Sequence, residues 1–376
     1  VVTKVAVKCK KIIEWLEEWA PRSLAMEGDR LGLLVGEPSA DVENVLVSLE
    51  VTAEVVEEAV DRDVQLIVSH HPLFRDPLPH LRSDIYPGSI LTRLIQKGIN
   101  AYAAHTNLDA APGGVNDVLA RRLGLQDVEV LYPTHQEKSY KVVVFVPLGY
   151  EDRVRQAMSE AGAGRIGNYV ECSFQIEGTG TFKPLPGAQP FSGEVGKLEK
   201  AQEFRLEMVV PAHKLPQVLE AMVNAHPYEE VAYDVYPLWT KGGSIGLGRV
   251  GRLKEPRPLG VFAEGVKELL GLKAVRVTGD LQKPVSRIAL CGGSGMRLLR
   301  RALEVGADVY LTGDVKHHEA LEAKAFGISL IDAGHHATER LVVPVIADYL
   351  EKRSQEAGQK LDVIVSSVNT DPFLYI

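Results

Sequence analysis

The sequence predicts an α/β protein of two similar α/β halves, with an α+β domain of ferredoxin-like organisation inserted between them. Three observations carry this expectation. At both ends of the chain, short apolar runs rich in β-branched residues alternate with helical patterns, as parallel sheets require. The middle of the chain drops that alternation and uses one strand–turn–helix unit twice. The length, 376 residues, accommodates two or three domains. The boundaries read as 1–132 for the first half, 133–240 for the insert and 241–376 for the second half.

In the first half, VVTKVAVKCKKIIEWLEEWA reads as an amphipathic helix that is too charged to be a signal peptide. ENVLVSLEV is a strand and TAEVVEEAVDRD a helix; QLIVS is the next strand, and a Pro-rich loop follows to about Tyr86. The helix GSILTRLIQKG, the strand INAYAAH and the helix GGVNDVLARRLG complete the pattern. The second half repeats it. SRIALCGG leads into MRLLRRALEVG, DVYLTGD into HHEALEAKAFG, and ISLIDAG into the HHATER helix, with LDVIVSSV as the last strand.

In the middle, VVVFVPLGYEDRVRQAMSEAGAG and LEMVVPAHKLPQVLEAMVNAHP align at one constant offset. Val146, Pro147, Val154, Ala157, Met158 and Ala161 match Val210, Pro211, Val218, Ala221, Met222 and Ala225. Strand-like pieces follow each unit, YVECSFQI and VAYDVYPL. Two tandem β-α-β units make a ferredoxin-like domain. TKGGSIGLGRVG is the Gly-rich return to the main body.

Composition narrows the function. The apolar fraction, 45%, is ordinary for a protein with full cores. The formal net charge of −8 argues against general nucleic-acid binding. No apolar run is long enough to span a membrane. Cys9, Cys172 and Cys291 are odd in number and widely spaced, without a CxxC pair, so the chain reads as reduced and cytoplasmic.

The chemistry lies in three segments. His70 and His71 end the run VQLIVSHH; His105 and Asp109 lie in AYAAHTNLDAAPGG; His335, His336 and Glu339 lie in LIDAGHHATER. Five of the eleven histidines thus follow apolar runs, where parallel strands would end on one rim of a sheet. Imidazole and carboxylate together suit a borderline divalent ion such as zinc, iron, manganese or nickel. The number of donors exceeds what one tetrahedral ion needs and points to two ions sharing a carboxylate. Glu339, one helical turn after His335, is the better bridge. Asp109 would complete one ion's shell, and His105 would orient substrate or pass a proton. His70 and His71, leaving an irregular strand end, could serve different ions. Because His71 and His335 lie in different halves, the halves must close on each other over the site. Such a pair of ions activates water for hydrolysis of a C–N bond, an amide or a phosphoester.

Weaker signals surround this set. The CGGSG loop at 291–295, with Gly293, opens a helix and could cradle a phosphate beside Arg297, Arg300 and Arg301, although such a loop is more often a tight turn and arginines on a helix are usually solvated. Asp314, His317 and His318 follow the strand DVYLT and would approach the same rim as substrate-lining residues. Cys291 has no general base paired with it by motif and reads as a small buried residue.

The segments IVSHHPLF, AAHTNLDAAPGGVND and DAGHHATER resemble the signature blocks of the GTP cyclohydrolase I type 2 homologue family, the NIF-three-like dinuclear metal-centre proteins. LGLLVG, GLGRVG, CGGSG, LTGDVKHHEA and NTDPF extend the likeness to both ends of the chain. The resemblance implies His70, His71, Asp109, His335 and Glu339 as ligands of two divalent ions per chain, with His105 beside them. It also implies a metal-bridged hydroxide acting on a nucleotide or related heterocycle, by the family name the guanine ring of GTP. The insert resembles the PII/CutA-like domain that some members carry. The resemblance further implies a homohexamer, a trimer of dimers, and a small-molecule substrate. A metal-dependent phosphoesterase and a non-catalytic metal-binding regulatory or interaction protein are the alternatives. Ring opening, phosphate release or no turnover on a nucleotide panel separates the three.

Overall fold

The computed structural model describes residues 6–136, 138–239 and 243–374, so Thr240–Gly242 of the Gly-rich return and the first five residues of the N-terminal segment lie outside the described residues. The chain forms two compact units. One joins Val1–His135 to Ile245–Ile376; the other is Gln136–Ser244. Among the described residues no helix is long and apolar enough to cross a membrane.

The larger unit holds two principal sheets. In the five-stranded sheet Asp362–Val365, Asn44–Ser48, Leu66–Ser69 and Asn100–Ala103 run parallel, and Gly32–Val35 closes the edge antiparallel. The six-stranded sheet has a parallel centre of Pro284–Leu290, Val309–Thr312 and Ser329–Asp332. Its edges are Arg276–Thr278 on one side and Ser244–Pro258 followed by Gln126–Gln136 on the other. The central strands are buried along their whole length, which is why they read as unbroken apolar runs.

Two edge strands cross between the halves. The last strand, Asp362–Val365, pairs with Asn44–Ser48 of the first half, and Gln126–Gln136 joins the sheet of the second. Edge choice depends on long-range pairing and packing, which local periodicity does not encode. The two segments also share one apolar core, in which Val68 and Tyr102 join Ala289, Tyr310 and Leu330.

Helices follow local rules. Cys9–Trp19 buries Cys9, Ile12, Trp15 and Leu16, one stripe at helical spacing. Thr52 caps Ala53–Asp61 by accepting a hydrogen bond from Val55 N. The MRLLRRALEVG segment is shorter than its pattern suggests: a 3-10 turn at Met296–Leu298 precedes a helix confined to Leu299–Glu304.

The smaller unit runs β-α-β-β-α-β: Ser139–Pro147, Glu151–Glu160, Ser173–Phe182, Glu199–Pro211, Leu215–Ala225 and Tyr233–Leu238. Its four strands are antiparallel, with the last strand at one edge beside the first, then the third, then the second. The aligned residues Val146, Val154 and Met158 and their counterparts Val210, Val218 and Met222 share one buried cluster.

Candidate metal centre

The strand Leu66–Ser69 stops at His70 and His71. Beside it Asn100–Ala103 stops before His105, because the two strands pair in parallel with Ser69 opposite Ala103. In the other sheet Thr312 pairs with Asp332, so Asp314 and His335 leave neighbouring strand ends. Gly334, at φ +78, turns the chain into the short helix His335–Glu339, which presents His335 and Glu339 one turn apart on one face.

These ends converge. Glu339 Oε2 lies 2.8 Å from His71 Nε2, 3.1 Å from His335 Nε2 and 3.8 Å from His70 Nε2. His70 Nε2 is 3.6 Å from Asp109 Oδ1, and the Nε2 atoms of His71 and His335 are 3.3 Å apart. Two three-residue groups with metal-binding spacing result, His70–Asp109–Glu339 and His71–His335–Glu339, and both contain Glu339. His70, His71 and His105 form a third.

Each ring is oriented through its other nitrogen. His70 Nδ1 donates to Ala104 O at 2.8 Å, His71 Nδ1 to Glu50 at 2.9 Å, His105 Nδ1 to Asp29 at 2.7 Å and His335 Nδ1 to Asp314 at 2.6 Å. Such partners fix the tautomer and leave Nε2 as the lone-pair donor. Asp29 is itself held by the Thr106 hydroxyl and backbone N–H, and Glu50 by the Thr370 hydroxyl. Asp314 adopts φ +56, an uncommon conformation for a residue with a side chain, and holds His335 from there.

The electrostatics suit a cation. Burial pushes the fully buried His70 down to about 3, so it is neutral. Burial also opposes charge on His71, but Glu339 and Glu50 outweigh it and push His71 up to about 10. His335, opposed by burial in the same way, is pushed up to about 9 by Glu339 and Asp314. Asp109 is raised well above the ordinary carboxylate range by burial and by the Glu339 charge. The carboxylates therefore demand positive charge, for which protons and a metal ion compete. Two buried atoms of the site, His70 Nε2 and Asp109 Oδ1, have no hydrogen-bond partner. An unsatisfied buried polar atom costs about 1–3 kcal/mol. Both residues belong, with Glu339, to one ligand group, so the residues present fit a divalent ion.

The structure brings His70, His71, His105, Asp109, His335 and Glu339 together. His336, next in sequence, faces Asp371 instead, with 4.0 Å between Nδ1 and Oδ2. Asp314 lines a cavity of about 670 Å³ together with Glu50, His71, Arg276, His335 and Phe373. Arg297 is exposed, and its charge acts on Asp109. His317 is exposed, with its ring against His318, and does not line that cavity.

The phosphate-cradle reading of CGGSG is corrected. The N–H groups of Gly292, Gly293 and Gly295 already donate to Asn116, Thr338 and Thr312. Gly293 serves the centre differently. At φ +61, a Cβ there would meet Glu339 Oε1 at 2.0 Å and His335 Nε2 at 3.0 Å. Glu50 and Asp29 were not evident from sequence. Glu50 follows an apolar strand just as the histidines do, which is a usable signal; the EGDRLG loop around Asp29 offers none.

The fold and site together define an α/β protein whose strand ends assemble a candidate histidine–carboxylate metal centre. The chain belongs to the Duf34/NIF3 (NGG1p interacting factor 3) family, whose profile matches residues 7–372. It is 44% identical to a GTP cyclohydrolase 1 type 2 homolog of Halalkalibacterium halodurans over 365 residues, 97% of this chain and 98% of that protein. A Bacillus subtilis protein of the same name is 42% identical over 371 residues, 99% of each chain. A crystal structure of a Bacillus cereus protein related to NIF3 superposes with a TM-score of 0.85 at 44% identity, covering all of both chains. A Staphylococcus aureus structure gives 0.70 at 32% identity, covering 99% of each.

Proposed function

We propose that the protein is a dinuclear metal-dependent hydrolase acting on a nucleotide or related heterocycle. The observation that carries this reading is the sharing of Glu339 between two ligand groups. His70 and Asp109 would hold one divalent ion, His71 and His335 the other, and Glu339 would bridge them. When bound, such a pair supplies Lewis acidity and a nucleophilic water near neutral pH. His105, its Nδ1 held by Asp29, keeps Nε2 available to take or return a proton at the substrate. The cavity of about 670 Å³ has the size of a small-molecule site and opens on His71 and His335. Asp314 orients His335 at its wall. Arg297 stands where it would attract an anionic substrate group toward the centre.

The test is turnover. Protein loaded with zinc, manganese or iron is given a nucleotide panel and followed by ring-opening absorbance and by phosphate release. Ring opening that disappears in His105→Ala supports the proposal. Phosphate release alone would make the protein a phosphoesterase, and no turnover with any metal would favour a non-catalytic metal-binding protein.

The same reading extends to assembly. The β-α-β-β-α-β order of the smaller unit supports a ferredoxin-like and, by resemblance, a PII/CutA-like insert. A homohexamer with metal sites facing an inner space would shield the centre while admitting small substrates. Light scattering at micromolar protein should give six chains, and a monomer mass with metal bound would refute this. The free cysteines Cys9, Cys172 and Cys291 fit a reducing, cytoplasmic location, which cell fractionation checks.

A further inference from the structure

We infer that Thr370 is a positioning residue for the His71 imidazole, acting through Glu50; the inference rests on the metal-centre reading above. Glu50 stands between two donors. Its Oε1 accepts from His71 Nδ1 at 2.9 Å, and its Oε2 accepts from the hydroxyl of Thr370, 320 positions further along the chain. A carboxylate held at one oxygen can swing about its side-chain torsions, whereas one held at both presents a fixed acceptor to the ring. His71 belongs to the ligand group with His335 and Glu339, so its ring angle sets where Nε2 points.

The segment that brings Thr370 is anchored on both sides. Upstream, Ser366 N donates to Val47 O at 2.8 Å, and the hydroxyls of Ser366 and Ser367 donate to Glu58 at 2.5 and 2.7 Å. Around Thr370, Asp371 N donates to the Asn369 side chain at 3.2 Å and Phe373 N to the Asp371 side chain at 3.0 Å. The chain then continues as a wall of the cavity through Asp371, Pro372, Phe373 and Leu374. The same device occurs once more in the centre. Asp29, which orients His105, takes a second hydrogen bond from the hydroxyl of Thr106. Two threonine–carboxylate–histidine chains therefore orient two rings. In one the threonine neighbours its histidine in sequence; the other ties the centre to the end of the described chain.

The test measures zinc affinity of the full-length protein by competition with a chromophoric chelator. Thr370→Val removes the donor at almost constant shape and should weaken zinc binding about tenfold. Thr370→Ser keeps the hydroxyl and should bind within about twofold of the parent. Glu50→Gln should lose a similar amount, and the Glu50→Gln/Thr370→Val double variant little more, since both act on one ring. Unchanged affinity in Thr370→Val overturns the proposal. So does an equal loss in Val and Ser variants accompanied by a lower metal-free Tm, which would mark a purely structural residue. Glu339→Gln is the control for the underlying reading. If it binds zinc as the parent does, the metal centre itself is wrong; if it loses zinc and Thr370→Val does not, only the Thr370 assignment fails.

Discussion

Burial alone would raise the pKa of Glu339, yet hydrogen bonds with His335 and His71 and the charge of His335 hold it well below the ordinary carboxylate range. Asp109, buried beside it, moves the opposite way, because burial and the charge of Glu339 both oppose its ionisation. One carboxylate is thus poised as a permanent anion, and the other gains its charge readily only when a cation arrives. Gly293 makes this arrangement possible by leaving room for Glu339. Alanine there would pay about 1 kcal/mol for its left-handed conformation and would press its Cβ against Glu339 and His335. Gly293→Ala should therefore remain folded, with a Tm lower by a few degrees, while its zinc affinity falls more than tenfold in a chelator competition. Zinc binding equal to the parent's would show that Glu339 has other room to occupy.

At the scale of elements, the sequence was legible wherever burial on both faces made a strand apolar from end to end. Leu66–Ser69, Asn100–Ala103 and Ser329–Asp332 could be read for that reason, and their histidines and carboxylates with them. Gln126–Gln136 escaped notice because it is largely exposed and polar, an edge strand whose existence depends on its neighbour Ser244–Pro258. The exchange of edges between the two sheets escaped for the same reason. The residues that orient the rings divide likewise. Asp314 follows a recognisable strand, whereas Asp29 and Thr370 sit in irregular segments brought near only by the fold. Ligands at strand ends carry a pattern because the strand does; their supports need only a hydrogen-bonding atom at the right place.

At the scale of the molecule, the insert begins and ends on adjacent strands of one sheet. Gln126–Gln136 leads into it and Ser244–Pro258 returns from it, and the two are neighbours in the six-stranded sheet. Their ends are close enough that Thr134 Oγ1 donates to Ile245 O at 3.4 Å, and a Cβ on Gly246 would strike Tyr132 O. A chain that leaves and re-enters at one place can lose what lies between at the cost of closing a short loop, and hairpin loops of two to five residues join such neighbours routinely. The smaller unit has its own buried cluster, from Val142 to Ala225, and none of the six converging site residues lies within it. Replacing residues 137–243 by a short Gly/Ser linker should therefore leave a soluble core. That core should melt cooperatively and bind zinc with the parent's affinity, measured by chelator competition and calorimetry. The smaller unit, expressed alone as 136–244, should fold by circular dichroism without binding zinc. A deletion protein that folds but no longer binds zinc would mean that the insert helps to hold the rim on which His71 and His335 meet.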